Sequence, residues 1–140
     1  GVLFAADAFF GAEPLAKHGV PYLVDAGRAR ATLLHLQSAR ARWMVPGHGD
    51  ALDDPAPTLD ANLEVIDRAF AWLRGHLALA PAQTEDVLAE FAAAFGLQMG
   101  NAGSYVLNRT ALLSFLSTLE REGAASVLLE GGRWLWTGTD

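Results

Sequence analysis

Apolar positions along the chain fall into one continuous block, several helical stripes and one pair of alternating runs. Val2 to Ala6 is an unbroken apolar block of the kind that fills a fully buried strand, ending at Asp7. Phe9-Phe10-Gly11 and Pro14 then predict a loop. Asp25 stands before Ala29, Leu33, Leu36 and Ala39 at helical spacing, which predicts an N-cap and a helix behind it. Trp43-Met44-Val45 predicts a short strand, stopped by Pro46-Gly47-His48-Gly49-Asp50, whose two glycines permit a sharp turn. Strand, helix, strand is the pattern of an α/β layer, and such layers build their sites in the loops beyond strand ends.

Residues 51 to 57, polar and punctuated by Pro55 and Pro57, predict a linker between two units. Beyond it Leu59, Leu63, Ile66, Phe70, Leu73 and Leu77 form one apolar stripe, predicting a long helix over 59–79 that ends before Pro81. Thr84, with Glu85 and Asp86, predicts the start of a second helix with Val87, Leu88, Phe91 and Phe95 inward and Gly96 at its end. Asn108 is expected to cap a third, carrying Leu112, Leu113, Leu116 and Leu119 to Gly123. Two alternating runs around Gly131-Gly132 predict a β-hairpin with Trp134 and Trp136 on one face. Three helices followed by a hairpin resemble a winged-helix unit.

Composition narrows the chemistry. A chain of 140 residues that is 51% hydrophobic can bury a core without staples. With no cysteine there is no disulfide, thiolate site or Cys nucleophile, so any metal must be held by His, Asp and Glu. No apolar stretch is long enough to suggest a membrane span, and no signal peptide is evident, so a soluble, cytoplasmic protein is expected. The chain opens on Gly1 without Met, which suggests a piece of a longer chain. Net charge is -6; residues 1 to 80 carry seven basic and nine acidic side chains, residues 81 to 140 three and seven. Neither half has the basic balance of a phosphate-backbone binder.

The candidate chemistry lies in Asp7 and His48, 41 positions apart but placed at neighbouring strand ends. A carboxylate and an imidazole are ligands that Zn²⁺, Fe or Mn²⁺ takes from a chain without thiols, yet a catalytic site needs about three protein ligands and an open position. The alternative is a carboxylate capping its turn and a histidine hydrogen-bonded within a Pro-Gly turn. His18, His35 and His76 lack a carboxylate at ligand spacing and are expected to be structural. Lys17, His18 and Tyr22 fall in the loop after Asp7, where a substrate can pass over the site. Arg28, Arg30, Arg40 and Arg42 suggest either a phosphate contact or an exposed helix face, and Trp134 with Trp136 suggests hairpin packing before a ligand platform.

Residues Val2 to Gly11, an amphipathic helix, and Val45-Pro46-Gly47-His48-Gly49-Asp50 together resemble the C-terminal half of a metallo-β-lactamase superfamily hydrolase. The motifs that carry the resemblance lie in residues 1 to about 57, and the helix at 59–79 with the winged-helix-like tail resembles the C-terminal extension of one branch of that family. The resemblance implies that Asp7 is the carboxylate bridging two metal ions and His48 a terminal ligand of one. The family's His-x-His-x-Asp-His motif, which supplies most ligands, is absent, and Ala5-Ala6 stands where Thr-Gly is commoner.

The expected architecture is therefore α+β: residues 1–57 as the C-terminal part of a metallo-β-lactamase-like αββα fold, and residues 58–140 as a helical, winged-helix-like extension with a C-terminal β-hairpin. The expected function is the C-terminal portion of a hydrolase using Zn²⁺ or another divalent metal, two ions in the intact protein. Its water would attack an ester, thioester, lactone, amide or phosphodiester of a small-molecule substrate whose binding residues are not indicated. The piece alone is expected to bind metal poorly or not at all and to be inactive, its partner being the missing N-terminal half. The stripe from Leu59 to Leu77 leaves a homodimer open, although burial within its own chain is the commoner outcome. The rival is a non-catalytic interaction or nucleic-acid-binding module on the tail, whose third helix mixes Arg109 and Arg121 with Glu120 and Glu122.

Overall fold

The computed structural model describes residues 1 to 139. Strand β1 (Val2–Phe10) is followed by helices α1 (Ala12–His18) and α2 (Ala26–Gln37) and by strand β2 (Trp43–His48). Helices α3 (Ala56–Leu77), α4 (Thr84–Phe95) and α5 (Ala102–Arg121) come next, and strands β3 (Ala125–Glu130) and β4 (Arg133–Gly138) complete the chain. The class is α+β, as expected. None of the helices is long and apolar enough to cross a membrane among the described residues.

β1 and β2 pair in parallel, with Leu3 opposite Met44 and Phe10 opposite His48. α2 makes the crossover between them, as a parallel pair requires. The predicted cap holds: the Asp25 carboxylate accepts the Arg28 backbone N–H at 3.0 Å and the Arg121 guanidinium at 3.1 Å. The backbone hydrogen bond from Arg28 first, and then the Arg121 charge, hold the Asp25 carboxyl below its ordinary range against the upward push of desolvation.

Several boundaries differ from the sequence expectation. β1 does not stop at Asp7 but runs to Phe10, because its register shifts twice, between Phe4 and Ala6 and between Ala6 and Phe10, and pairing resumes beyond each irregularity. Nor is it fully buried: Val2 and Phe4 stand open on one face, Phe4 with 80% of its surface exposed. The stretch from Gly11 to Gly19 is helical rather than a loop, since Pro14 sits in the first turn of α1, where its missing N–H costs nothing. β2 continues through Pro46 and Gly47 to His48, Pro46 lying at the irregular step opposite Ala6. In the 51–57 stretch Leu52 exchanges two hydrogen bonds of 2.8 Å with Met44, and α3 begins at Ala56 with a proline in its first turn.

The α3 stripe is buried from Leu59 to Leu77 within its own chain. The helix ends at Leu77 rather than 79, and Leu79 is exposed. Thr84 is not the cap of α4; Gln83 takes that place, and the Thr84 hydroxyl accepts the Trp136 indole N–H at 3.0 Å. Asn108 is not the cap of α5 either. Asn101 is, in a reciprocal capping box with Ser104, so the helix starts earlier and Asn108 lies inside it. Gly96 and Gly123 follow the ends of α4 and α5 as predicted. The hairpin turns at Gly131 and Gly132 with φ of 56° and 74°, the left-handed pair that a two-residue turn demands. Ala82 adds to β4 through two hydrogen bonds with Trp136.

One core runs through these elements. Phe9, Leu23, Leu33 and Met44 of the first part belong to the same buried cluster as Leu59, Phe70, Phe91, Phe115 and Trp136. Phe70 and Phe115 meet edge to face at 4.9 Å.

Candidate functional site

Asp7 and His48 reach each other because β1 and β2 are parallel neighbours in irregular register: Ala6 pairs with Pro46 and Phe10 with His48, so Asp7 follows at the level of Gly47, beside His48. Asp7 Oδ1 lies 3.6 Å from His48 Nε2, and the two side chains are 79% and 61% exposed. In a regular strand consecutive side chains alternate between faces, but Ala6 and Asp7 are both exposed. Ala6 has φ of 45°, the left-handed region, and this irregular step turns the Asp7 carboxylate onto the His48 side. The Ala5-Ala6 departure noted in the sequence thus falls at a position whose backbone favours glycine.

Glycines bring the two strand ends within reach. A Cβ on Gly47 would stand 2.5 Å from Asp7 Oδ1, so the carboxylate lies directly over that backbone. Gly49, at φ 118°, faces Gly11 so closely that a Cβ on it would stand 2.9 Å from the Gly11 Cα. The Gly11 N–H donates to the His48 carbonyl at 2.9 Å, which locks that approach.

Asn62 is a positioning residue that sequence reasoning missed. Buried on α3, its amide oxygen accepts the Phe10 N–H at 3.0 Å and its amide nitrogen donates to the Phe10 carbonyl at 2.8 Å and the Thr58 carbonyl at 2.8 Å. It clamps the strand end that carries the site to the long helix. The available signal was a lone amide between Leu59 and Ile66 on the apolar stripe.

Two oxygen- and nitrogen-bearing donors at this separation fit an ion. Donors each about 2.1 Å from a tetrahedral centre stand about 3.4 Å apart, close to the Asp7–His48 distance. They occupy two corners. Among the described residues no group of three His, Asp or Glu side chains is placed to hold a metal. His18 is exposed at the end of α1, His35 is exposed on α2, and His76 stacks on Trp72 at 4.8 Å with Glu90 at 3.5 Å.

Lys17 and His18 belong to α1 rather than to a loop, and they still border the site. With Glu13, His48, Asp50 and Leu52 they line a cavity of about 550 Å³. Phe10 stands between the two histidines, its ring 5.5 Å from His48 and 6.2 Å from His18. Of the four arginines weighed for a phosphate contact, Arg30 is held by Asp67 at 2.6 and 3.2 Å, Arg28 is exposed beside Asp25, and Arg40 and Arg42 are exposed. On α5, Arg109 is engaged by Glu85 and Arg121 by Asp25, which leaves that helix without a free basic stripe. Trp136 packs inside the hairpin unit, with Trp134 edge-on at 5.8 Å and half exposed.

No family model matches the chain, and no curated protein matches it. Among solved structures it is similar to a beta-lactamase domain protein from Burkholderia ambifaria, with a TM-score of 0.77 and 13% identity over 99% of this chain. The chain spans 42% of that protein's length. At that identity the likeness is one of fold: the α+β arrangement described above is that of part of a beta-lactamase domain protein.

Proposed function

We propose that the chain is the C-terminal portion of a metal-dependent hydrolase, with residues 1–57 belonging to the catalytic domain and residues 58–140 forming an extension. One observation carries the reading: a carboxylate and an imidazole from neighbouring parallel strands, both open to solvent, stand 3.6 Å apart over glycine backbone. The fold of the beta-lactamase domain protein supports it, and the remaining ligands would come from outside this chain.

When bound, two divalent ions such as Zn²⁺ supply a water of near-neutral pKa and a Lewis acid for the substrate oxygen. Asp7 holds the ligand oxygen that faces His48, and the Ala6 kink fixes its direction. His48 presents Nε2, while the edge of Phe10 restrains the imidazole plane. Gly11 and Gly49 leave no side chain between the strand ends. The chain alone is expected to be catalytically inactive.

Elemental analysis of the parent protein tests this. About two equivalents of transition metal are expected, with a loss in Asp7→Ala and His48→Ala. Undiminished metal in both variants overturns the reading, as does a parent sequence without a His-x-His-x-Asp-His cluster upstream.

A further inference from the structure

A second cavity, of about 450 Å³, lies between α1 and the first turns of α5 and shares Phe10, Lys17 and His18 with the cavity at His48. Its volume falls in the range of small-molecule sites. Val20, Tyr22 and Leu107 make its walls, and Tyr22 and Leu107 remain about half exposed, apolar surface with nothing covering it. On the α5 side Asn101 and Ser104 bond each other and the Asn108 amide nitrogen donates to the Ser104 carbonyl, which leaves the Asn108 amide oxygen and Gln98 as neutral polar groups on that wall. On the opposite wall Lys17 is exposed and has no ion-pair partner among the described residues. No carboxylate lines this cavity, in a chain of net charge -6. An apolar slot with one free cation at its mouth fits a chain with an anionic or developing anionic end.

We propose that this cavity is an acyl pocket. It takes an unbranched acyl chain of medium length between Val20, Tyr22 and Leu107, and the carboxyl end lies at the Lys17 and His18 wall that it shares with the His48 cavity. That selects acyl esters, thioesters or amides over phosphodiesters as the substrate class. The choice of substrate rests on the proposed hydrolase function; the binding of a carboxylate-headed chain does not.

The test titrates the 140-residue chain, without metal, with octanoate as the probe, following the backbone amide shifts of Leu107 and Tyr22 by NMR. Saturable binding is expected, weaker by about threefold in Lys17→Met, the loss of an exposed charge pair. It is expected to be weaker by about a hundredfold or more for acetate, which lacks six methylenes, and by roughly tenfold in Leu107→Asp. Octanoate that fails to saturate, or that binds Lys17→Met and Leu107→Asp as tightly as the parent chain, overturns the pocket. Lys17→Met changes only an exposed side chain, so its result stands even if Leu107→Asp disturbs α5. Metal bound by the parent protein without octanoate binding removes the acyl class and leaves the hydrolase. Octanoate binding in a parent protein that holds no metal does the reverse.

Discussion

The two ends of the chain bury their apolar residues very differently. Residues 58–139 have a closed centre, where Phe91, Leu112, Phe115, Leu116 and Leu119 are fully buried and the hairpin is pinned over them by Trp136, while Leu79, Leu107, Leu129 and Trp134 stay exposed at its rim. The β1–β2 layer covers one face only, leaving Val2 and Phe4 in the open while Phe9 and Met44 reach the core. The donor pair sits on the thin side. A core holds ionisable groups only at high cost, whereas a strand end at the margin of the sheet can present a carboxylate and an imidazole to solvent. The candidate site and the closed centre thus lie in different regions, joined by the buried cluster they share and by polar contacts such as Asn62 to Phe10 and Arg121 to Asp25.

That division is tested most severely where the core is tightest. Phe115→Ala is expected to cost about 3–5 kcal/mol in urea unfolding, since a fully buried ring touching Phe70 and Phe91 leaves a cavity. Asn62→Leu, which orphans both polar groups of Phe10, should cost about 1–3 kcal/mol and speed amide exchange at Phe10 and Gly11 ahead of the rest of the chain. Uniform exchange would mean that the clamp is not local. Asp25→Ala should cost about 1 kcal/mol through the lost cap. Because the folded state holds that carboxyl below its ordinary value of 3.8, its contribution is complete above that value and disappears as pH falls through the lower folded value. The gap between Asp25→Ala and the parent in thermal melts is therefore expected to close below pH 3.8. Ala6→Gly, which relieves the left-handed φ, should raise stability by up to about 1 kcal/mol. Phe4→Thr is expected to change stability by less than about 0.5 kcal/mol. A loss as large as that of Phe115→Ala would erase the contrast between the open layer and the closed core.

The elements that were legible in the sequence are those whose pattern has one meaning. The α3 stripe from Leu59 to Leu77, the Gly131-Gly132 turn and the Asp25 cap each follow from local spacing or local backbone demand. β1 was harder, because its exposed Val2 and Phe4 and its inward Leu3 and Ala5 are all apolar, so alternation left no trace. Seven residues of α1 between Gly11 and Gly19 are too few to show a period. Asn101 was hidden by Gly100 and Gly103, which read as loop, while Asn108 stood just before the obvious leucine stripe. Of the site, the residue types and the nearness of Asp7 and His48 were readable, but not that Asp7 lies inside β1 and His48 is the last residue of β2 rather than beyond it. The Ala6 kink and the Asn62 clamp were not, since each depends on a register or contact set by residues dozens of positions away.

The contact between Gly11 and Gly49 also bears on how this site tolerates change. With backbone against backbone at the strand ends, Gly49 admits no side chain, Gly11 would take one only in tight contact, and one on Gly47 would displace the Asp7 carboxylate. Variation that retunes the cavity has room at the α1 wall, at Glu13, Lys17 and His18, and at Asp50 and Thr58, where side chains can be exchanged without parting the strands. A mutational library would show a sharp boundary there, intolerant glycines on one rim of the cavity and permissive helix positions on the other.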